Sequence, residues 1–164
     1  MKKQILITLL LALLAVTAGA QMQDPVHFSV SQKKVAENIV EVTFSGKIDA
    51  GWHVYSTGLP ADGPISATIT TETADGVKAE GKLGHRGNEI NKFDNMFQMN
   101  LRYFENSVTF VQKYKITGKT YHVKGYLEYG SCNDEMCMPP AQVEFDFKGE
   151  GVADAPKEPA VEET

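Results

Sequence analysis

The 164-residue chain contains two cysteines, five positions apart in Ser131-Cys132-Asn133-Asp134-Glu135-Met136-Cys137-Met138-Pro139-Pro140. Thiols this close in sequence are open to structural bridging, to reversible thiol/disulfide exchange, or to binding a soft metal. As a staple the pair is weak: a loop of about six residues restricts the unfolded chain by about 2 kcal/mol, against nearly 5 for a loop of about 100. As an exchange centre it is well placed, because it falls between a strand ending near Tyr129 and another starting near Gln142. That puts it at an exposed sheet end, where a partner's thiolate can reach a sulfur in line. Asp134 and Glu135, between the cysteines, make a bare thiolate costly and keep the resting dithiol guarded. The metal reading rests on Met136 and Met138, soft donors suited to Cu(I). Zinc asks for four ligands, and none of His27, His53, His85 and His122 stands at a recognisable ligand spacing from the cysteines.

The elements that hold this segment read as strands. Apolar and polar residues alternate at Val40, Val42 and Phe44, at Ile65, Ala67 and Ile69, and at Val108, Phe110 and Gln112. The same period runs through Tyr121, Val123, Gly125, Leu127 and Tyr129, and through Val143, Phe145 and Phe147. A period of two marks half-buried strands. Turn formers separate the runs at Asp49-Ala50-Gly51, Pro60 to Pro64, Asp75-Gly76, Gly84 to Asn88, Thr117-Gly118-Lys119 and Gly130 to Pro140. No stretch sustains a helical apolar period. Half-buried sheets must cover each other's apolar faces, so the expected fold is an all-β, immunoglobulin-like β-sandwich.

Residues 1–20 read as an export signal: Lys2 and Lys3 precede an apolar run of 12 residues from Ile5 to Val16, and Ala18, Gly19 and Ala20 offer a small-residue cleavage site. That run is shorter than the roughly 20 apolar residues a membrane helix needs. Residues 21–150 then form the domain, and 151–164, rich in small residues, prolines and acids, a disordered acidic tail or linker. Loss of Lys2 and Lys3 with the signal takes the net charge from −5 to −7. With acids and bases interspersed, such a surface excludes nucleic-acid binding through phosphates and fits a protein that meets other proteins outside the cytoplasm.

Around the cysteines the chain resembles the N-terminal periplasmic domain of the DsbD family of transmembrane thiol:disulfide interchange proteins. Cys132 to Pro140 carries the resemblance most specifically. Gly51-Trp52-His53-Val54-Tyr55-Ser56, Gly63-Pro64, Phe93-Asp94-Asn95-Met96-Phe97 and Val108-Thr109-Phe110 support it. The resemblance implies an immunoglobulin-like domain that takes electrons from a membrane-embedded reductase and passes them to periplasmic thioredoxin-like proteins. It implies that Cys137 exchanges with the partner and Cys132 resolves the mixed disulfide. It also implies a cap over the pair near Phe93 to Phe97, with Phe93 as its lid, and that His53 and Tyr55 lie beside the cysteines. Some family members place one more residue between the cysteines, and this chain shows neither membrane helices nor a thioredoxin-like domain.

The sequence therefore points to a component of a protein-disulfide reductase that needs no cofactor, since two cysteines carry two electrons themselves. An exported copper-binding module and an interaction domain with a structural disulfide are the alternatives. Read from residue type alone, Trp52, Tyr55, Phe93 and Phe97 are also ordinary packing aromatics, and His53 a hydrogen-bonded structural histidine.

Overall fold

A computed structural model describes residues 24–151. The segment read as an export signal, and all but the first residue of the segment read as a tail, lie outside the described residues. Within them the chain forms eleven strands, all paired antiparallel, in three sheets.

The first sheet orders β1 (Val26–Ala36), β2 (Ile39–Ile48), β8 (Ser107–Ile116) and β5 (Val77–Arg86) as β1-β2-β8-β5. Facing it, β11 (Ala141–Glu150), β9 (Thr120–Tyr129) and β4 (Thr68–Asp75) form a sheet in the order β11-β9-β4. Each strand contributes the alternate residues of one face, and Val40, Val42, Phe44, Phe110, Tyr114, Val123, Leu127 and Phe145 make one continuous core. Phe145 of the second sheet meets Phe44 of the first edge-on at 5.7 Å, a favoured geometry for aromatic rings. Tyr114 and Thr71 share a hydrogen bond of 2.8 Å across the interlayer space, so the buried hydroxyl is satisfied. This is the expected immunoglobulin-like sandwich.

The expected strands match in part. β2, β8, β9 and β11 carry the alternations read above, with Gln112 buried and donating from Nε2 to the Lys113 carbonyl at 2.9 Å. The run Ile65-Ala67-Ile69 does not form one strand: β4 begins at Thr68, so Ile65 and Ala67 precede it, and Ile65 is exposed. At the start of this segment the chain is still turning out of the Pro60–Pro64 region, where Ala67 N–H donates to Ser56 O at 3.1 Å instead of joining a ladder.

A smaller third sheet closes one end of the sandwich. It orders β10 (Ser131–Cys132), β3 (His53–Tyr55), β7 (Met99–Phe104) and β6 (Glu89–Asp94) as β10-β3-β7-β6. Val54 and Phe104 point from it into the main core, and Phe104 meets Phe110 edge-on at 6.0 Å. The opposite side chains, Tyr55, Leu101, Tyr103 and Cys132, form a separate small cluster. Alternation along β3 and β7 thus divides one sheet between stability on one face and the cysteine site on the other.

Candidate functional site

Cys132 and Cys137 are joined in a disulfide with their Cα atoms 4.0 Å apart. The bridge spans an isolated antiparallel pair, flanked by the bonds Asn133 N–H to Met136 O and Met138 N–H to Ser131 O, both 2.9 Å. That pattern makes 132 and 137 a non-hydrogen-bonded pair, the kind whose side chains stand closest. Asn133 tightens the turn, its Oδ1 accepting from the backbone N–H of Glu135 at 2.9 Å and of Met136 at 2.7 Å. Asp134 and Glu135 form the exposed tip. A short polar residue that mimics a backbone acceptor is what such a turn asks for.

The two sulfurs have unequal surroundings. Cys132 is 3 % exposed, paired with His53 in register and packed in the cluster of Tyr55, Leu101 and Tyr103. Cys137 is an exposed residue on the outer limb of the hairpin. Its Sγ lies 3.5 Å from Sδ of Met96. A bridged sulfur carries no proton, so this is a sulfur–sulfur contact and not a hydrogen bond.

Met96 sits in the turn between β6 and β7, and Asp94 fixes that turn. Asp94 Oδ1 accepts from the N–H groups of Met96 at 2.8 Å and Phe97 at 3.0 Å, while Oδ2 accepts from the Tyr55 hydroxyl at 3.1 Å. Gln98 takes the left-handed backbone conformation, φ 56°, that reverses the chain, a shape that costs a non-glycine residue energy unless its surroundings hold it. The Phe97 ring stands edge-on to Tyr55 at 6.1 Å. Phe93 is half-exposed and lines the cleft that reaches Asn133 and Asp134 of the hairpin.

Burial, then the charge and hydrogen bond of Asp94, push the Tyr55 hydroxyl well above the usual tyrosine range, so it remains a donor at any physiological pH. His53 lies between the rings of Tyr55 and Tyr103, with centroids at 5.0 and 4.6 Å. Desolvation lowers its pKa against the opposing pull of Asp94, Glu105 and Asp134. Its Nε2 is buried and has no hydrogen-bond partner among the described residues. His53, Tyr55, Met96 and Asp134 help to line a cleft of about 660 Å³ beside the hairpin.

The structure thus brings His53 and Tyr55 to the cysteine pair and gathers the Phe93–Phe97 segment beside it. Sequence reading did not single out Met96 as the residue touching Cys137, and the 41 positions between them leave no spacing signal. Met136 and Met138, the thioethers singled out from sequence, flank Cys137 along the chain, while the thioether that touches its sulfur is that of Met96.

The chain is thus an all-β, immunoglobulin-like sandwich with an accessible disulfide on an end hairpin. The chain belongs to the family described as thiol:disulfide interchange protein DsbD, N-terminal, whose model matches residues 19–149. It is similar to the reduced N-terminal domain of Neisseria meningitidis DsbD, at 25% identity over 76% of this chain and 86% of that one, with a TM-score of 0.45. It is also similar to the N-terminal periplasmic domain of Proteus mirabilis ScsB, at 11% identity over 79% of this chain and 48% of that one, with a TM-score of 0.54. A third likeness is to the Neisseria meningitidis complex between the DsbD and PilB N-terminal domains, at 20% identity over 80% and 91%, with a TM-score of 0.40. No curated protein sequence matches the chain.

Proposed function

We propose that this domain relays electron pairs in the periplasm, from a membrane-embedded thiol:disulfide reductase to thioredoxin-like proteins, with Cys137 as the exchanging sulfur and Cys132 as the resolving one. The supporting observation is the unequal burial of the pair: Cys132 is sealed into the Tyr55–Tyr103 cluster, whereas Cys137 faces outward. Exchange needs a straight line through the attacked sulfur and its leaving group. An incoming thiolate finds that line at Cys137 and expels Cys132 into the protein.

Donation runs the same path in reverse. In the reduced domain the Cys137 thiolate attacks the partner's disulfide, and the sulfur expelled from the partner takes up a proton. Cys132 then loses its proton and attacks Cys137 Sγ, which releases the partner's second thiol. The electron pair leaves with the partner and the intrachain disulfide remains. The reductase's dithiol restores the reduced state by the same two steps. His53 stands opposite Cys132 in register, and its lowered pKa keeps the ring uncharged near neutrality, the state required to accept the Cys132 proton. In this reading the β6–β7 turn, with Phe93 and Met96, is the cap that restricts access to the pair.

The test is trapping. Cys132→Ser should accumulate a mixed disulfide with a thioredoxin-like partner, and Cys137→Ser should neither exchange nor trap. Turnover by Cys132→Ser, or trapping by Cys137→Ser alone, would reverse the roles. A redox titration separates relay from staple: an exchange pair falls at roughly −270 to −120 mV, a structural bridge below about −300 mV.

A further inference from the structure

We propose that in the reduced protein Cys132, Cys137 and Met96 form a three-sulfur site for Cu(I). Among the described residues no three His, Cys, Asp or Glu side chains converge as a metal site. That excludes from them the donor sets that zinc and harder ions require. What converges is sulfur: two cysteines 4.0 Å apart at Cα, and a thioether 3.5 Å from the outer one. Thiolate and thioether together select Cu(I) over harder or borderline ions. With metal–sulfur bonds of about 2.3 Å, sulfurs 3.5 Å apart subtend an angle of about 100° at a shared ion, near what a trigonal or tetrahedral ion accepts.

The backbone that carries the third donor is held in place independently of any metal. Met96 is 47 % exposed, so burial does not account for where its side chain lies. Its backbone is fixed by Asp94, and Asp94 by Tyr55, whose neighbours include Cys132. One sulfur comes from the inner limb of the cysteine hairpin, one from its outer limb, and one from the β6–β7 turn. The disulfide closes the site; reduction opens it by letting the two sulfurs move apart. On binding, both thiols release their protons and the ion takes two thiolates and one thioether, with no change in oxidation state. The cation also offsets the negative charge that two thiolates would otherwise add next to Asp134. The site requires only that the pair be reduced, so it does not rest on the relay reading.

The test uses the full domain, chemically reduced and kept free of oxygen, with Cu(I) presented as its coloured bathocuproine complex. The reduced protein should withdraw one Cu(I) per chain, and the disulfide form none. Met96→Leu should weaken the competition by about tenfold or more, the loss of one soft ligand. Met136→Leu and Met138→Leu should leave it unchanged. X-ray absorption should count three sulfurs on the copper in the native chain and two in Met96→Leu, a readout that separates ligation from a general loosening of the turn. Failure of the reduced native chain to take Cu(I), two-sulfur coordination in it, or equal affinity in Met96→Leu would each overturn the proposal. Weakening by Met136→Leu or Met138→Leu in place of Met96→Leu would overturn the assigned donors. Exchange assays are read separately, so a failed relay and a failed copper site remain distinguishable.

Discussion

His53 sits under opposing influences whose balance has a measurable sign. Burial favours the neutral ring and the three carboxylates favour the charged one, with burial the larger. In the unfolded chain His53 titrates near its ordinary 6.5, so below that pH the unfolded state binds the extra proton first. The His53 contribution to stability is therefore complete above pH 6.5 and declines as pH falls through 6.5 toward the lower folded value. Urea midpoints at pH 7.5 and 5.5 should differ more for the native protein than for His53→Phe; equal differences would show that burial does not govern this ring. The cysteines were legible from sequence as a close pair, whereas His53 and Tyr55 were expected beside them only through the family resemblance; the register sets His53 opposite Cys132, and Tyr55 shares its cluster. Met96 was not, since its place depends on where a hairpin turn 41 residues away comes to rest.

Strands were legible wherever one face is buried. β2, β8 and β9 bury alternate residues almost without interruption, so the pattern shows through the sequence. β5 exposes most of its length and β10 has only two residues, so neither imposes an alternation that could be read. Register also depends on positions that carry no side chain. Gly125 in β9 lies beside β4, where the ladder slips between Thr71 and Thr73, and a Cβ there would overlap the Thr70 carbonyl oxygen. Gly125→Ala should cost about 1–3 kcal/mol in chemical denaturation, because backbone cannot yield as a side chain tip can; a neutral result would mean that β4 is free to shift. The β6–β7 turn makes a second test at this scale. Tyr55→Phe removes the anchor of Asp94 and should destabilise the domain by about 1 kcal/mol. In the reduced protein, Met96→Ala should speed iodoacetamide labelling of Cys137 more than Phe93→Ala does. The opposite order would make Phe93 the main shield, the lid that the family resemblance implies.

At the scale of the molecule, the large core and the cysteine cluster are separate bodies of packing that share β3 and β7. The disulfide closes only its own hairpin, so reduction should remove about 2 kcal/mol and lower the melting temperature by several degrees while the β-sheet circular dichroism persists. Loss of that signal on reduction would make the bridge a fold requirement. On the proposed function, this separation would let the cysteine pair change redox state without disturbing its scaffold. It also bears on traffic. On the relay proposed above, with Cys132 buried and Cys137 exposed, the protein that loads the pair and the protein that unloads it would use the same doorway by turns, and each client would be a rival of the other. Steady-state rates measured with both clients varied should therefore give parallel double-reciprocal lines, and an excess of either client in its spent form should block the other competitively. Intersecting lines would reveal a second entrance to the pair.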